Sequence, residues 1–159
     1  MAEKNDHLSS EKSFGSQALD KIVSRLRTTS DPKRRYEYVL WLAKKLPVLS
    51  SDSHSPFNKV QGCISEVYVI GELIKGKIHW KGYSDALITK GLLALLIEGL
   101  NNLSPQEVLM IDEGFIKETG LQSSLTPSRA NGFLNILLKM KSQAQHLSSN
   151  SSSELNRVL

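Results

Sequence analysis

One cysteine stands among 159 residues, and that scarcity excludes more than any single motif establishes. Cys63 alone can neither close an internal disulfide nor build a multi-thiolate metal cage. It leaves inert packing, a nucleophile, or bonds with other molecules. Lack of a disulfide framework fits a reducing compartment, and cytoplasmic location is the expectation. Histidines are also few: His7 and His146 lie near the ends and form no metal-ligand spacing, so no metal site is expected. The most apolar run, Gly91 to Ile97, is far short of the ~18–20 residues that cross a bilayer. The opening residues, Met1 to His7, carry acids and no following apolar region, and read as neither signal peptide nor presequence. The formal charge of +4 is spread over scattered lysines and arginines. No arginine-rich arm or nucleic-acid module is visible, so neither nucleic acid nor membrane is an expected partner.

What is present describes one soluble domain. Apolar residues make up 40% and charged residues 23%, enough for a real core in a chain of this length. Residues 1–15 and 147–159 are polar and lack periodicity, which reads as two disordered tails around a domain at 16–146. Three helix starts share a small polar cap followed by proline: Asp31-Pro32, Ser104-Pro105 and Thr126-Pro127. Glu107, three residues after Ser104, completes a capping box. Leu19, Ile22, Val23 and Leu26 line a helix from Gln17 to about Arg27. Tyr36, Val39, Leu40, Ala43 and Leu46 line another, from Pro32 to the breaker Pro47. Val67-Tyr68-Val69-Ile70 and Lys77-Ile78-His79-Trp80-Lys81 read as strands punctuated by Gly71 and Gly76. Ser84 or Asp85 then caps a helix reaching Gly99 that is apolar on nearly every side, the mark of a central buried helix. Gly91 within it points to close approach of another backbone. Short helices near 105–110 and 113–119 and a long one from 127 to about 145 follow. The order gives an α+β fold: a small antiparallel sheet of about three strands packed against several helices.

The surroundings of Cys63 are polar. Gln61, Gly62 and Ser65 do not describe a core segment, and Gly62 lets a loop turn or another backbone approach. A thiol in such a loop is reachable, and its reactivity depends on a nearby cation or N–H groups. Hydrolase chemistry would need a histidine base at the sulfur. His79 in the sheet and His54 in the preceding loop are the available residues, and neither spacing aims one at Cys63. Gly71 to Gly76 lacks the lysine and the following helix of a phosphate loop and reads as a hairpin turn. Asp85 reads most simply as a helix cap. Arg129 in a first helical turn is mildly unfavourable there, which makes a specific role for it more plausible.

Taken in order, Gln61-Gly62-Cys63-Ile64-Ser65-Glu66-Val67-Tyr68, Gly82-Tyr83-Ser84-Asp85-Ala86, Lys90-Gly91 and Leu125-Thr126-Pro127-Ser128-Arg129 resemble the SufE-like sulfur-acceptor family. The resemblance covers about residues 17 to 145. It implies a compact α+β fold shared with scaffold proteins of iron–sulfur cluster assembly, and a sulfur acceptor that activates a cysteine desulfurase. By that resemblance Cys63 is the persulfide acceptor, and Gln61, Gly62, Ser65, Asp85 and Arg129 support the loop or the partner interface. The implied partners are a SufS-like desulfurase, which carries its own pyridoxal phosphate, and a SufB-like scaffold that receives the sulfur; a homodimer is possible. No cofactor is expected on this chain. The family's loop shelters the thiol in the free protein and extends on docking. Tyr83 stands where the family often has an acid, and Tyr68 where tryptophan is frequent.

Two readings of other classes remain. A stand-alone hydrolase or peroxidase would need turnover without a desulfurase. A non-catalytic adaptor would carry an inert, buried cysteine. The enzyme question stays open at this point, with a carrier acting beside a desulfurase favoured over a self-sufficient enzyme.

Overall fold

A computed structural model describes residues 12–158, with side chains through residue 150. In chain order the elements are α1 (Gln17–Thr28), α2 (Pro32–Leu42), β1 (Val67–Ile74), β2 (Lys77–Ser84), α3 (Leu87–Leu100), α4 (Pro105–Leu109), α5 (Phe115–Glu118) and α6 (Pro127–Val158), with short 3-10 turns between them. The class is α+β, with a small open antiparallel sheet against several helices.

The three proline starts form as their sequences dictate. Asp31 accepts from the Lys33 amide, Ser104 and Glu107 close a capping box, and Thr126 Oγ1 accepts from the Arg129 amide at 3.3 Å. Helix α1 buries the four expected residues, Leu19, Ile22, Val23 and Leu26. Helix α2 buries Val39 and Leu42, with Ala43 and Leu46 just beyond it. Tyr36 lies outside that buried stripe. Leu42, three residues after Val39, joins the core face, and the helix then tightens into a 3-10 turn.

Helix α3 is the axis of the fold. It packs against α1, α2, α6 and β2, and eleven of its residues are buried, from Ile88 to Leu100. Gly91 permits the tightest of these contacts. A Cβ there would lie 2.1 Å from the backbone oxygen of Val39, so α2 and α3 meet backbone to backbone. That is the close approach expected from the glycine.

The sheet consists of β1 and β2, paired antiparallel from Val67 opposite Ser84 to Ile74 opposite Lys77. Around these two full strands, Val48, Lys59 and Leu103 each add a single bridge. The third strand expected from the sequence does not form among the described residues: these contacts are isolated bridges, and the one at Val48 is parallel. Gln143 of α6 ties the sheet to the helices by donating to Val69 O at 2.7 Å and accepting from the Gly71 amide at 2.9 Å.

At the chain ends the structure differs from the expected tails. Residues 1–11 lie outside the described residues. Just after them, Asp20 accepts from Ser13 Oγ and the Phe14 amide, and Phe14 meets Phe115 edge-on. Helix α6 runs on to Val158, through the segment read as a C-terminal tail. Extending a helix already nucleated adds one hydrogen bond per residue fixed, which lets a polar segment follow on.

Candidate functional site

The loop bearing Cys63 is pinched at its base. The Val60 amide donates to Val67 O at 2.8 Å, and Lys59 bridges Tyr68. Residues 61–66 therefore project as a short loop between buried anchors. Gly62 turns it with φ +79°, a left-handed conformation costly for residues with a Cβ. A side chain there would also lie 2.6 Å from Asn135 Nδ2. That amide instead donates to Gly62 O at 3.1 Å.

Cys63 is half-buried and sits over α6, its thiol donating to Gly132 O at 3.8 Å. Ile64, next to it, is 76% exposed. The chain thus turns the sulfur toward the body of the protein and a large apolar side chain toward solvent. Ser65 is buried again, and its hydroxyl accepts from Arg129 Nη1. The same Arg129 nitrogen donates to Thr89 Oγ1 at 2.8 Å, and Thr89 donates to Ser65 Oγ at 3.4 Å.

The loop's exit is fastened by Asp85. Its carboxylate accepts from the Glu66 amide at 3.0 Å, and its own amide donates to Glu66 O at 3.2 Å. Asp85 is therefore not the cap of α3. The N-cap position belongs to Ala86, without a side-chain bond, because Asp85 is spent on the neighbouring loop. Ser84 contributes locally, accepting from the Ala86 amide.

Two opposing effects set the state of the thiol. Burial pushes its pKa up, and the Arg129 guanidinium pulls it down by the smaller amount. In this conformation the thiol stays protonated at neutral pH and is a poor nucleophile. Neither histidine joins it. His54 stacks on Tyr68 and against Tyr83 at centroid distances of 4.5 and 4.4 Å. His79 lies opposite Glu72 within the sheet. Among the described residues no group of His, Cys, Asp and Glu is arranged to hold a metal ion.

The residues named from the sequence converge in part. Gly62, Cys63 and Ser65 share the loop, Arg129 reaches it through Ser65, and Asp85 through Glu66. Gln61 is exposed and makes no hydrogen bond among the described residues. Thr89, Gly132 and Asn135 were not visible as site residues. The last two carry a readable signal: with Arg129 they recur every three residues, placing a polar and small stripe along one side of α6.

The family described as "SufE: Fe-S metabolism associated domain" matches residues 20–144, a span that contains Cys63, Asp85 and Arg129. The chain belongs to the SufE family. An uncharacterised SufE-like protein of Synechocystis is 52% identical over 126 residues, covering 79% of each chain. A "Cysteine desulfuration protein SufE" of Plasmodium vivax is 36% identical over 150 residues, covering 86% of this chain but 60% of that longer protein. The solution structure of a hypothetical protein from Thermus thermophilus superposes with a TM-score of 0.73 at 24% identity, over 84% of this chain and 98% of the other. This likeness bears on the fold. SufE membership associates the chain with sulfur transfer for iron–sulfur metabolism. No helix of the described residues is long and apolar enough to cross a membrane.

Proposed function

We propose that this SufE-family chain accepts sulfur from a SufS-like cysteine desulfurase on Cys63, activates that enzyme by doing so, and delivers the sulfur to a SufB-like iron–sulfur scaffold. The observation that carries this reading is the placement of the single thiol. It sits on a pinched loop, turned onto α6 and held there by few bonds, with the Arg129 charge beside it.

The chemistry balances without an oxidant. The Cys63 thiolate attacks the terminal sulfur of the desulfurase persulfide. A new S–S bond forms at Cys63, the old S–S bond breaks, and its electron pair leaves with the desulfurase cysteine as thiolate. The proton lost from Cys63 goes to solvent or to the departing thiolate. One cysteine suffices because no resolving thiol takes part.

Sheltering and reactivity are linked through the same physics. Turned inward, the thiol is held protonated by burial; turned outward, it loses that penalty and its thiolate fraction rises. Docking that draws the loop off α6 therefore exposes and activates the nucleophile together. Gly62, Asn135 and Asp85 set how readily the loop leaves, and Ser65 and Arg129 mark its inner attachment. Gln61, exposed at the loop's entry, is assigned to the partner interface. The work takes place in the cytoplasm, beside a desulfurase that supplies its own pyridoxal phosphate.

Stimulation of a SufS-like desulfurase by this protein and by Cys63→Ser tests the reading. Stimulation that depends on Cys63 is expected. Equal stimulation by the serine variant would leave an adaptor with an inert cysteine.

A further inference from the structure

Helix α3 buries aliphatic residues, glycines and one hydroxyl, Thr89, which is 3% exposed. A threonine in a helix commonly satisfies its hydroxyl on a carbonyl of the preceding turn. Thr89 does otherwise. Its described bonds run out of the helix, accepting from Arg129 Nη1 at 2.8 Å and donating to Ser65 Oγ at 3.4 Å. It thereby joins the central helix, the first turn of α6 and the inner end of the Cys63 loop.

Arg129 is unusual in what holds it. Its side chain makes no ion pair among the described residues. Its hydrogen-bond partners are the neutral hydroxyls of Ser65 and Thr89, both themselves buried. A carboxylate in their place would fix the guanidinium equally well but would cancel much of its charge. Neutral acceptors fix the group and leave its field available to a nearby anion. The two acceptors are not equivalent. Ser65 belongs to the loop that carries Cys63, whereas Thr89 belongs to the central buried helix. Ser65 ties the guanidinium to the resting loop, and Thr89 ties it to the core.

We propose that Thr89 is a positioning residue for sulfur transfer, anchoring Arg129 to α3 so that its charge faces Cys63 while the loop rests on α6 and favours the thiolate there. The proposal rests on the reading of Cys63 as the sulfur acceptor, and adds a residue that acts through Arg129. The charged surroundings are simple. Arg129 on α6 is the charged group that moves the thiol, against the effect of burial, while α3 presents the uncharged Thr89. The acids at the loop exit are engaged elsewhere: Glu66 accepts from the Tyr68 hydroxyl at 3.0 Å, and Asp85 from the Glu66 amide.

The test compares the full-length protein with Thr89→Val and Thr89→Ser. Iodoacetamide alkylation of Cys63 is followed from about pH 6 to 11, and persulfide loading is followed with a cysteine desulfurase and L-cysteine. Thr89→Val is expected to move the alkylation midpoint upward by roughly half a unit. That corresponds to about threefold less thiolate at neutral pH and a similar fall in loading rate, recovering as pH rises. Thr89→Ser restores the hydroxyl and should track the parent in both assays. Faster alkylation of Thr89→Val at every pH with an unmoved midpoint would mean that Thr89 only braces the loop, and would overturn the proposal. Equal impairment of Thr89→Ser would also overturn it, by assigning the effect to packing. Failure of the parent protein to load would instead strike the sulfur-acceptor reading, while the alkylation midpoints still report on Thr89.

Discussion

The side-chain amide of Asn135 donates to the carbonyl oxygen of Gly62 at 3.1 Å, one residue before the thiol and from the helix on which the thiol rests. This bond and the 3.8 Å contact of Cys63 Sγ with Gly132 O are both made to α6. They are few enough to break and specific enough to define a resting position. Because a hydrogen bond of this kind contributes about 1 kcal/mol net, Asn135→Ala should release the loop more often. Alkylation of Cys63 under native conditions is expected to speed up about fivefold, with little change in the denaturation midpoint. An unchanged alkylation rate would show that Asn135 does not restrain the loop.

Asp85 restrains the same loop at its other end. Asp85→Ala removes the acceptor for the Glu66 amide, whereas Asp85→Asn keeps an oxygen there and removes the charge. If the hydrogen bond governs loop position, alanine should raise both alkylation and sulfur loading of Cys63, and asparagine should stay near the parent. Equal effects of both would assign the role to the charge at the partner interface instead. Since Asp85 is exposed, the cost in stability should stay within about 1 kcal/mol for either variant.

Much of this arrangement was legible in the sequence, and the failures have physical causes. Capping at Asp31 and Ser104 is local chemistry, and both form as read. Gly91 was readable because a glycine inside a buried helix commonly marks a close backbone contact. Asp85 stood at the start of the same helix in a position that suits a cap, and only tertiary structure shows its carboxylate turned to Glu66. Thr89 was hidden for the opposite reason. A β-branched residue among leucines reads as packing, and its value depends on an arginine forty residues away. Tyr36 fitted a helical stripe, yet it lies one turn before the buried Val39 and stays exposed.

The close approach at Gly91 supplies a stability prediction independent of function. In Gly91→Ala the new methyl would meet backbone at Val39, which cannot rotate away as a side chain could. Separation of α2 from α3 should cost about 3 kcal/mol, seen as a lower denaturant midpoint. A loss of only a few tenths of a kcal/mol would contradict the contact.

The raised pKa of Cys63 carries a sign for stability against pH. Burial favours the protonated thiol in the folded state, so the unfolded chain ionises first as pH rises. Above the ordinary thiol pKa the unfolded state binds fewer protons than the folded one, and stability falls with pH until the folded thiol also titrates. Below that window the contribution is fully present. The parent should therefore lose stability relative to Cys63→Ser as pH climbs through the alkaline range, with no relative change near neutrality. Parallel curves would mean that the thiol is not held protonated by the fold.

The most direct test of the account is intact-mass spectrometry of the protein after incubation with a SufS-like desulfurase and L-cysteine. A gain of about 32 Da, the mass of one sulfur atom on a thiolate-derived persulfide, is expected on the parent. It should be reversed by reductant and absent from Cys63→Ser, which should remain folded. No gain on the parent with an active desulfurase, or the same gain on the serine variant, would contradict the assignment of Cys63 as the sulfur acceptor.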